Sequence, residues 1–121
     1  MTTFLAGSVR PTRPISWVGA AQKEFYAFPD GVRLLCLQAL TIVAEGGKPD
    51  LAKPMKGLGS GVLEIALPHR GDAFRVVYAV QLASDIWVVH AFQKKSTSGI
   101  RTARRDIDLI RKRIQRIREI P

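Results

Sequence analysis

The stretch VLEIALPHRGDAFRVVYAVQLASDIWVVHAF, residues 62–92, decides the fold that this sequence predicts. It contains three runs rich in β-branched and aromatic residues: VLEIAL (62–67), AFRVVYAVQL (73–82) and IWVVHAF (86–92). The segments PHRGD and ASD separate these runs, and both are short enough to form hairpin turns. Three strands joined in this way predict an antiparallel sheet.

The residues before this stretch predict one further strand and two helices. PISWVG (14–19) reads as a short strand, and AAQKEFYAF (20–28) as a short helix that Pro29 ends. In DGVRLLCLQALTIVAEGG (30–47), apolar residues recur at helical spacing, which predicts a second helix. Residues 48–61 are rich in Gly, Pro and Lys and predict a loop.

The C-terminal segment TARRDIDLIRKRIQRIRE (102–119) predicts a third helix, because its isoleucines at 107, 110, 114 and 117 form one stripe. The predicted fold class is therefore α+β, in the order β-α-α-β-β-β-α. It has a mainly antiparallel sheet, with helices packed on one face and the second face partly open. Residues 1–13 show no periodicity and predict a flexible N-terminal arm, and residues 14–121 predict a single domain.

Positive charge is concentrated near the C-terminal end. The chain carries 19 Lys and Arg against 10 Asp and Glu, for a net charge of +9. Residues 94–121 hold ten of the basic and three of the acidic residues, and so seven of the nine net charges. A local cluster of this kind favours nucleic-acid binding. A solvated face of an amphipathic helix and a helix lying on a membrane surface remain as alternatives.

The composition argues against several other classes of protein. Cys36 is the single cysteine and lies in an apolar segment, which predicts a buried, reduced thiol. No apolar run approaches the length of a membrane span, and the first residues do not form a signal peptide, so we expect a cytoplasmic protein. We predict no metal and no cofactor, because HExxH and CxxC are absent and GLGSG (57–61) lacks the Lys-Ser/Thr of a Walker loop.

Three polar residues interrupt the apolar strands: Glu64, Arg75 and His90. If the helices cover one face of the sheet, Arg75 and His90 are predicted to share the second face. Lys56 would reach this face from the loop before the strands, and Lys94 and Lys95 from the segment after them.

Such a set of residues could cut RNA without a metal, by attack of the RNA's own 2′-hydroxyl group. His90 would act as acid or base, Arg75 would hold two phosphate oxygens, and a lysine could also carry the proton. Two plainer interpretations stay open. His90 is a hydrogen-bonded strand histidine in one, and Glu64 simply pairs with Arg75 across the sheet in the other.

The motifs KPMKGLGSGVLEI, GDAFRVVYAV and IWVVHAFQKKS, followed by a basic helix, resemble HigB-like toxins of the RelE/ParE superfamily, and in particular their phage-derived branch. The resemblance covers residues 14 to about 117. It implies a microbial-RNase-like α+β fold and a type II toxin, usually an endoribonuclease that cuts mRNA on the translating ribosome. It also implies a cognate HigA-like helix-turn-helix antitoxin, bound in a hetero-oligomeric complex.

Carried over by position, the resemblance implies catalytic roles for Lys56, Arg75, His90 and Lys94. The residues predicted to bind RNA are Lys53, Lys95, Arg101, Arg104, Arg105, Arg111 and Arg113. The chain departs from its relatives at Ala66, where many have an arginine, and at Ala103, where a proline is common. A ParE-like inhibitor of DNA gyrase and a non-catalytic RNA- or ribosome-binding module remain as alternative functions.

Overall fold

A computed structural model describes residues 12–94 and 102–120, which form a five-stranded sheet and three helices. In chain order the elements are β1 (Ile15–Trp17), α1 (Gly19–Tyr26), α2 (Asp30–Ala44), β2 (Ala52–Pro54), β3 (Val62–His69), β4 (Asp72–Ala79), β5 (Ile86–Lys94) and α3 (Arg104–Arg118). Within these residues, no helix is long and apolar enough to cross a membrane. The predicted arm, residues 1–13, lies almost wholly outside the described part of the chain.

The strands lie in the order β1-β5-β4-β3-β2, and every neighbouring pair is antiparallel except β1 with β5. This confirms the predicted α+β class and the mainly antiparallel sheet. The short strand β2 is an addition, because it falls inside the predicted loop. Pro54 can end β2 because this strand forms the edge of the sheet, where a missing N–H group breaks no ladder.

Two apolar clusters hold the fold together, one on each face of the sheet. On the first face, Phe25 of α1 and Leu40 of α2 pack with Ile65, Val76 and Val88 of the sheet. The positive φ of Gly46, +94°, lets the chain leave α2 at its C-terminal end.

The second face is covered by α3. Ile110, Ile114 and Ile117 pack there against Val77 and Val89, with further residues of the sheet. The predicted isoleucine stripe is therefore confirmed, but the prediction that all helices lie on one face is wrong. Helices α1 and α2 already fill the first face, so the stripe of α3 is buried against the second.

A β-bulge in β5 changes which side chains face α3. Val77 lies opposite His90, whereas the next residue, Tyr78, lies opposite Val88. Val89 is thus the extra residue, and the regular alternation of side chains between the two faces of a strand fails there. Val89 and His90 consequently both lie on the α3 side, in the row that also contains Val77.

Candidate active site

Arg75 and Glu64 form a largely buried ion pair on the α3 side of the sheet. An Nη1 group of Arg75 donates a hydrogen bond to Oε1 of Glu64 at 2.6 Å. Ala66 lies directly opposite Arg75, so Glu64 is its diagonal neighbour across β3 and β4. The side chains are 15% and 11% exposed, respectively. The cross-strand pairing predicted for these two residues is confirmed.

Thr102 fixes the other oxygen of the same carboxylate. Its hydroxyl group donates to Oε2 of Glu64 at 3.1 Å, from a position just before α3. Glu64 therefore joins the start of α3 to Arg75. The sequence carried no signal for this contact, since Thr102 lies 38 residues from Glu64 and in a different element.

The guanidinium group of Arg75 retains an unused donor. Its Nε is buried and makes no hydrogen bond to the residues that the structure describes. A buried donor without a partner is unfavourable, and such groups are rare in folded proteins. The Nε and Nη groups of an arginine form a fork that matches two oxygens of a phosphate. Because Nε of Arg75 is covered in this structure, such a contact requires the residues around it to move.

Lys94 ends β5 on the same side of the sheet as Arg75. It lies opposite Ala73, two residues before Arg75 in β4. Only 7% of Lys94 is exposed, and its Nζ is without a hydrogen-bond partner among residues 12–94 and 102–120. Burial lowers the pKa of the ammonium group, the positive charge of Arg75 lowers it further, and Glu64 partly opposes both. A lowered pKa suits a lysine that transfers protons.

His90 lies in a separate polar cluster beneath α3. It is 2% exposed. Its Nε2 is 2.8 Å from Oδ1 of Asp106, and an Nη1 group of Arg113 lies 2.9 Å from its Nδ1. If Arg113 donates to Nδ1, the proton of a neutral imidazole is on Nε2 and is donated to Asp106. Both ring nitrogens are thus occupied by side chains of α3.

Glu24 of α1 completes this cluster. Its Oε1 and Oε2 accept hydrogen bonds from Arg113 at 2.9 and 3.1 Å, and Oε1 also accepts the backbone N–H of Ala91 at 3.2 Å. Burial alone would raise the pKa of Glu24, but its contacts with His90, with Arg113 and with the backbone N–H of Ala91 outweigh this effect and lower the pKa to about 2. The cluster therefore ties α1, β5 and α3 together through a charged carboxylate.

Two predicted assignments need correction. The expectation that His90 lies on an open face is wrong, because α3 covers that face, and we assign His90 a structural role. Arg113 was expected on the exposed basic face, but it is 8% exposed, and its Nη1 also donates to the backbone oxygen of Val89 at 3.0 Å. With its donors directed at Glu24, His90 and Val89, Arg113 is not available to an RNA phosphate.

The other basic residues that were predicted to bind RNA or to act in catalysis lie in three places. Lys53 is exposed and lies opposite Glu64 in the pairing of β2 with β3, which places it near the Arg75–Glu64 pair. Lys56 is exposed in the loop after β2, and no hydrogen bond or ion pair joins it to the rest of the described chain. The third group is exposed on α3 and consists of Arg104, Arg105 and Arg111. Lys95 and Arg101 lie outside the described residues.

The arrangement as a whole is a buried pair of cations bordered by exposed basic residues. Arg75 and Lys94 share one face, each with a nitrogen unpaired within the described parts of the chain. Lys53 on one side and Arg104 and Arg105 at the start of α3 add positive charge near them. This site could hold an oxyanion such as a phosphate group and move a proton next to it. We name Glu64, Arg75, Lys94 and Thr102 the Arg75 site.

Comparison with known proteins places the fold and then the family. The chain is similar to a solved structure of the E. coli toxin RelE, a double arginine-to-alanine mutant in the free state. The TM-score is 0.60 at 19% identity, over 88% of this chain and 98% of that one. The fold is thus RelE-like. No curated protein matches the chain.

Residues 23–115 match the family model described as "Phage derived protein Gp49-like (DUF891)". The match spans most of the chain, and the protein belongs to this Gp49-like family. The resemblance to the phage-derived branch of the RelE/ParE superfamily is confirmed by this family and by the RelE-like fold.

Proposed function

We propose that this protein is the toxin of a type II toxin–antitoxin system and an endoribonuclease that cuts mRNA, acting in the cytoplasm on translating ribosomes. The Gp49-like family and the RelE-like fold support the toxin assignment. The observation that carries the catalytic assignment is the pair of buried cations, Arg75 and Lys94, each with an unpaired nitrogen within the described chain. A cognate HigA-like antitoxin with a helix-turn-helix domain is the proposed protein partner.

The proposed reaction needs only groups of this chain and of the RNA. The 2′-hydroxyl oxygen of a nucleotide attacks the adjacent phosphorus, and the bond from phosphorus to the 5′-oxygen breaks. One proton leaves the 2′-hydroxyl group and one reaches the 5′-oxygen, so the products are a 2′,3′-cyclic phosphate and a 5′-hydroxyl group.

Arg75 holds the phosphate oxygens and stabilises the negative charge that builds up on them. Lys94 is the proposed proton carrier, and burial and the charge of Arg75 lower its pKa, which favours release of a proton. Glu64 and Thr102 orient the Arg75 guanidinium group by the contacts described above. Lys53, Arg104 and Arg105 contribute phosphate contacts outside the Arg75 site, and these give affinity without sequence preference.

Growth inhibition by site variants tests this proposal. Production of the wild-type chain from an inducible promoter is expected to stop growth, and Arg75→Ala and Lys94→Ala are each expected to abolish that effect. Lys23→Ala, which removes an exposed lysine from α1, is the matched control and should stay toxic. Binding of each variant to the antitoxin shows that it is folded. Full toxicity of folded Arg75→Ala and Lys94→Ala proteins would overturn the assigned site.

A further inference from the structure

Residues 55–61, with the sequence MKGLGSG, form a loop between β2 and β3 that has unusual backbone geometry. Gly57, Gly59 and Gly61 have φ angles of +80°, +95° and +75°. Only glycine adopts such angles without strain, so every second position of this glycine loop depends on it. Leu58 between them is buried against α3 in the same apolar cluster as Ile110 and Ile114, which anchors the loop to the helix.

The backbone N–H groups of the glycine loop are candidates for hydrogen bonds to a ligand. None of the backbone N–H groups of residues 56–61 donates to a backbone oxygen of a described residue. A run of backbone N–H groups in which left-handed residues alternate with others forms a concave surface that binds anions. This geometry differs from a Walker loop, since β3 and not a helix follows it.

Helix α3 adds two arginines beside the loop. Arg111 and Arg118 are seven residues apart, on the same side of the helix and about 10 Å from each other along its axis. An Nη2 group of Arg111 donates to the backbone oxygen of Gly57 at 3.3 Å. A Cβ atom on Gly59 would lie 3.2 Å from Nη2 of Arg118, so the absence of a side chain lets this guanidinium group approach the loop backbone.

Loop and helix border an open groove of about 490 Å³ with a positive lining. Arg111, Lys112, Gln115 and Arg118 supply its polar side chains, and no carboxylate belongs to the described residues that line it. Asp108 lies 3.8 Å from Arg111, but both of these side chains are more than half exposed, so the attraction is weak. The charge and the donors of this groove match a phosphate group.

We propose that this groove, between the glycine loop and α3, binds phosphate groups of an RNA strand. The choice of RNA as the source of the phosphate rests on the proposed function, whereas recognition of phosphate rests on the groove alone. Helix α3 begins next to Thr102 of the Arg75 site and carries Arg111 and Arg118 further along. A strand lying along α3 would therefore contact the groove while its scissile phosphate occupies the Arg75 site.

Backbone amide NMR shifts of the full chain test which ligand enters the groove. The probes are inorganic phosphate and a short 2′-O-methyl RNA, which cannot be cut because its 2′-oxygen is blocked. We expect the amides of residues 56–61 to shift with the RNA. Shifts at the same amides with phosphate alone would show that a free phosphate group suffices, and their restriction to RNA would show that the strand is required. The absence of loop shifts with both probes overturns the proposal.

Fluorescence anisotropy with the same RNA tests the residues. Arg118→Gln is expected to weaken binding about tenfold, the effect of losing one charge-assisted hydrogen bond. Gly59→Ala should also weaken binding, because a side chain at this positive φ strains the loop and crowds Arg118. Gly59→Ala alters the loop backbone without changing the charge, whereas Arg118→Gln removes a charge without altering the loop backbone. A loss of RNA binding in both variants would therefore not come from misfolding of the loop alone. Lys23→Gln removes one exposed charge elsewhere and should change affinity less than twofold. Equal effects of Arg118→Gln and Lys23→Gln would refute the groove.

The two proposals fail separately. Arg75→Ala should lose toxicity and its own share of the RNA affinity, but the amides of residues 56–61 should still shift with the 2′-O-methyl RNA, since the groove contacts remain. If the wild-type chain cuts no RNA but its groove variants lose RNA binding, the endoribonuclease assignment fails and the groove stands. If the chain cuts RNA and the groove variants bind RNA like the wild type, the groove proposal fails and the endoribonuclease assignment stands.

Discussion

Replacing Glu24 with glutamine is expected to make the stability of the protein less sensitive to acid. Hydrogen bonds within the buried cluster lower the pKa of Glu24 from its ordinary value of 4.5 to about 2. Fully expressed, this difference is worth about 3 kcal/mol of folding free energy. The Glu24 side chain is 30% exposed, so we discount the contribution to about 2 kcal/mol for solvent screening.

The sign of the effect follows from the direction of the shift. Because the folded protein has the lower pKa, the stabilisation is complete above the unfolded value of 4.5 and is lost as the pH falls towards 2. Between pH 7 and pH 3 the wild type should therefore lose about 1 kcal/mol more than Glu24→Gln, after the same discount. Asp106 and the remaining carboxyl groups are common to both proteins and cancel in the comparison.

Urea denaturation of the two proteins at pH 7 and pH 3 measures this difference. Glu45→Gln, at an exposed carboxylate that follows α2, is the control and should show the acid dependence of the wild type. If wild type and Glu24→Gln lose the same free energy over this pH range, Glu24 is not held as a charged partner of Arg113 and His90, and the account of this cluster is wrong.

Three further predictions concern single side chains. Arg113→Glu should lower the free energy of unfolding by about 4 kcal/mol in urea denaturation, because it leaves buried charges unpaired. Arg104→Glu, at the exposed start of α3, should lower it by less than about 0.5 kcal/mol. Similar losses in the two variants would contradict the burial of Arg113. Ala66→Lys places a cation opposite Arg75 and should tighten binding of a 2′-O-methyl RNA severalfold, as measured by fluorescence anisotropy. Unchanged affinity would show that residue 66 does not lie near the bound phosphate. Burial raises the pKa of the Cys36 thiol to about 12, so Ellman's reagent at pH 8 should label it only after unfolding, and rapid labelling of the folded chain would show an accessible thiol.

Much of the fold could be predicted because its signals are local. Runs of β-branched and aromatic residues indicated the three long strands, and apolar spacing indicated the second and third helices. The isoleucines of α3 are buried as their spacing predicted. The face that α3 covers could not be predicted from that stripe, because a stripe shows only that a helix needs a partner surface. Which surface is free depends on α2, a separate part of the chain.

The site was harder to predict because it depends on long-range register. His90 lies on the same face as Arg75, as predicted, but α3 covers that face. The bulge at Val89 turns Val88 to the opposite face, and no residue type in IWVVHAF marks such an insertion. Asp106 is one of the few acidic residues in a basic segment. That exception was the one available sign that it pairs with a buried residue, here His90. Arg113 looked like its exposed basic neighbours, since the partners that distinguish it, Glu24, Val89 and His90, lie 23 or more residues away in the sequence. The Arg75–Glu64 pair was predictable because strand alternation alone places both residues.

The most direct test of the central claim is the chemistry of the RNA ends. Purified protein is incubated with a defined mRNA on programmed ribosomes, the cuts are mapped, and the mRNA is then remade with a 2′-deoxy nucleotide on the 5′ side of the main cut. We expect 2′,3′-cyclic phosphate or 3′-phosphate ends, loss of that cut in the 2′-deoxy mRNA, and no cuts by Arg75→Ala. Cutting that persists at the 2′-deoxy position, or a toxic protein that cuts no mRNA, would contradict this expectation; the second result would favour a gyrase inhibitor or binding to the ribosome without cleavage.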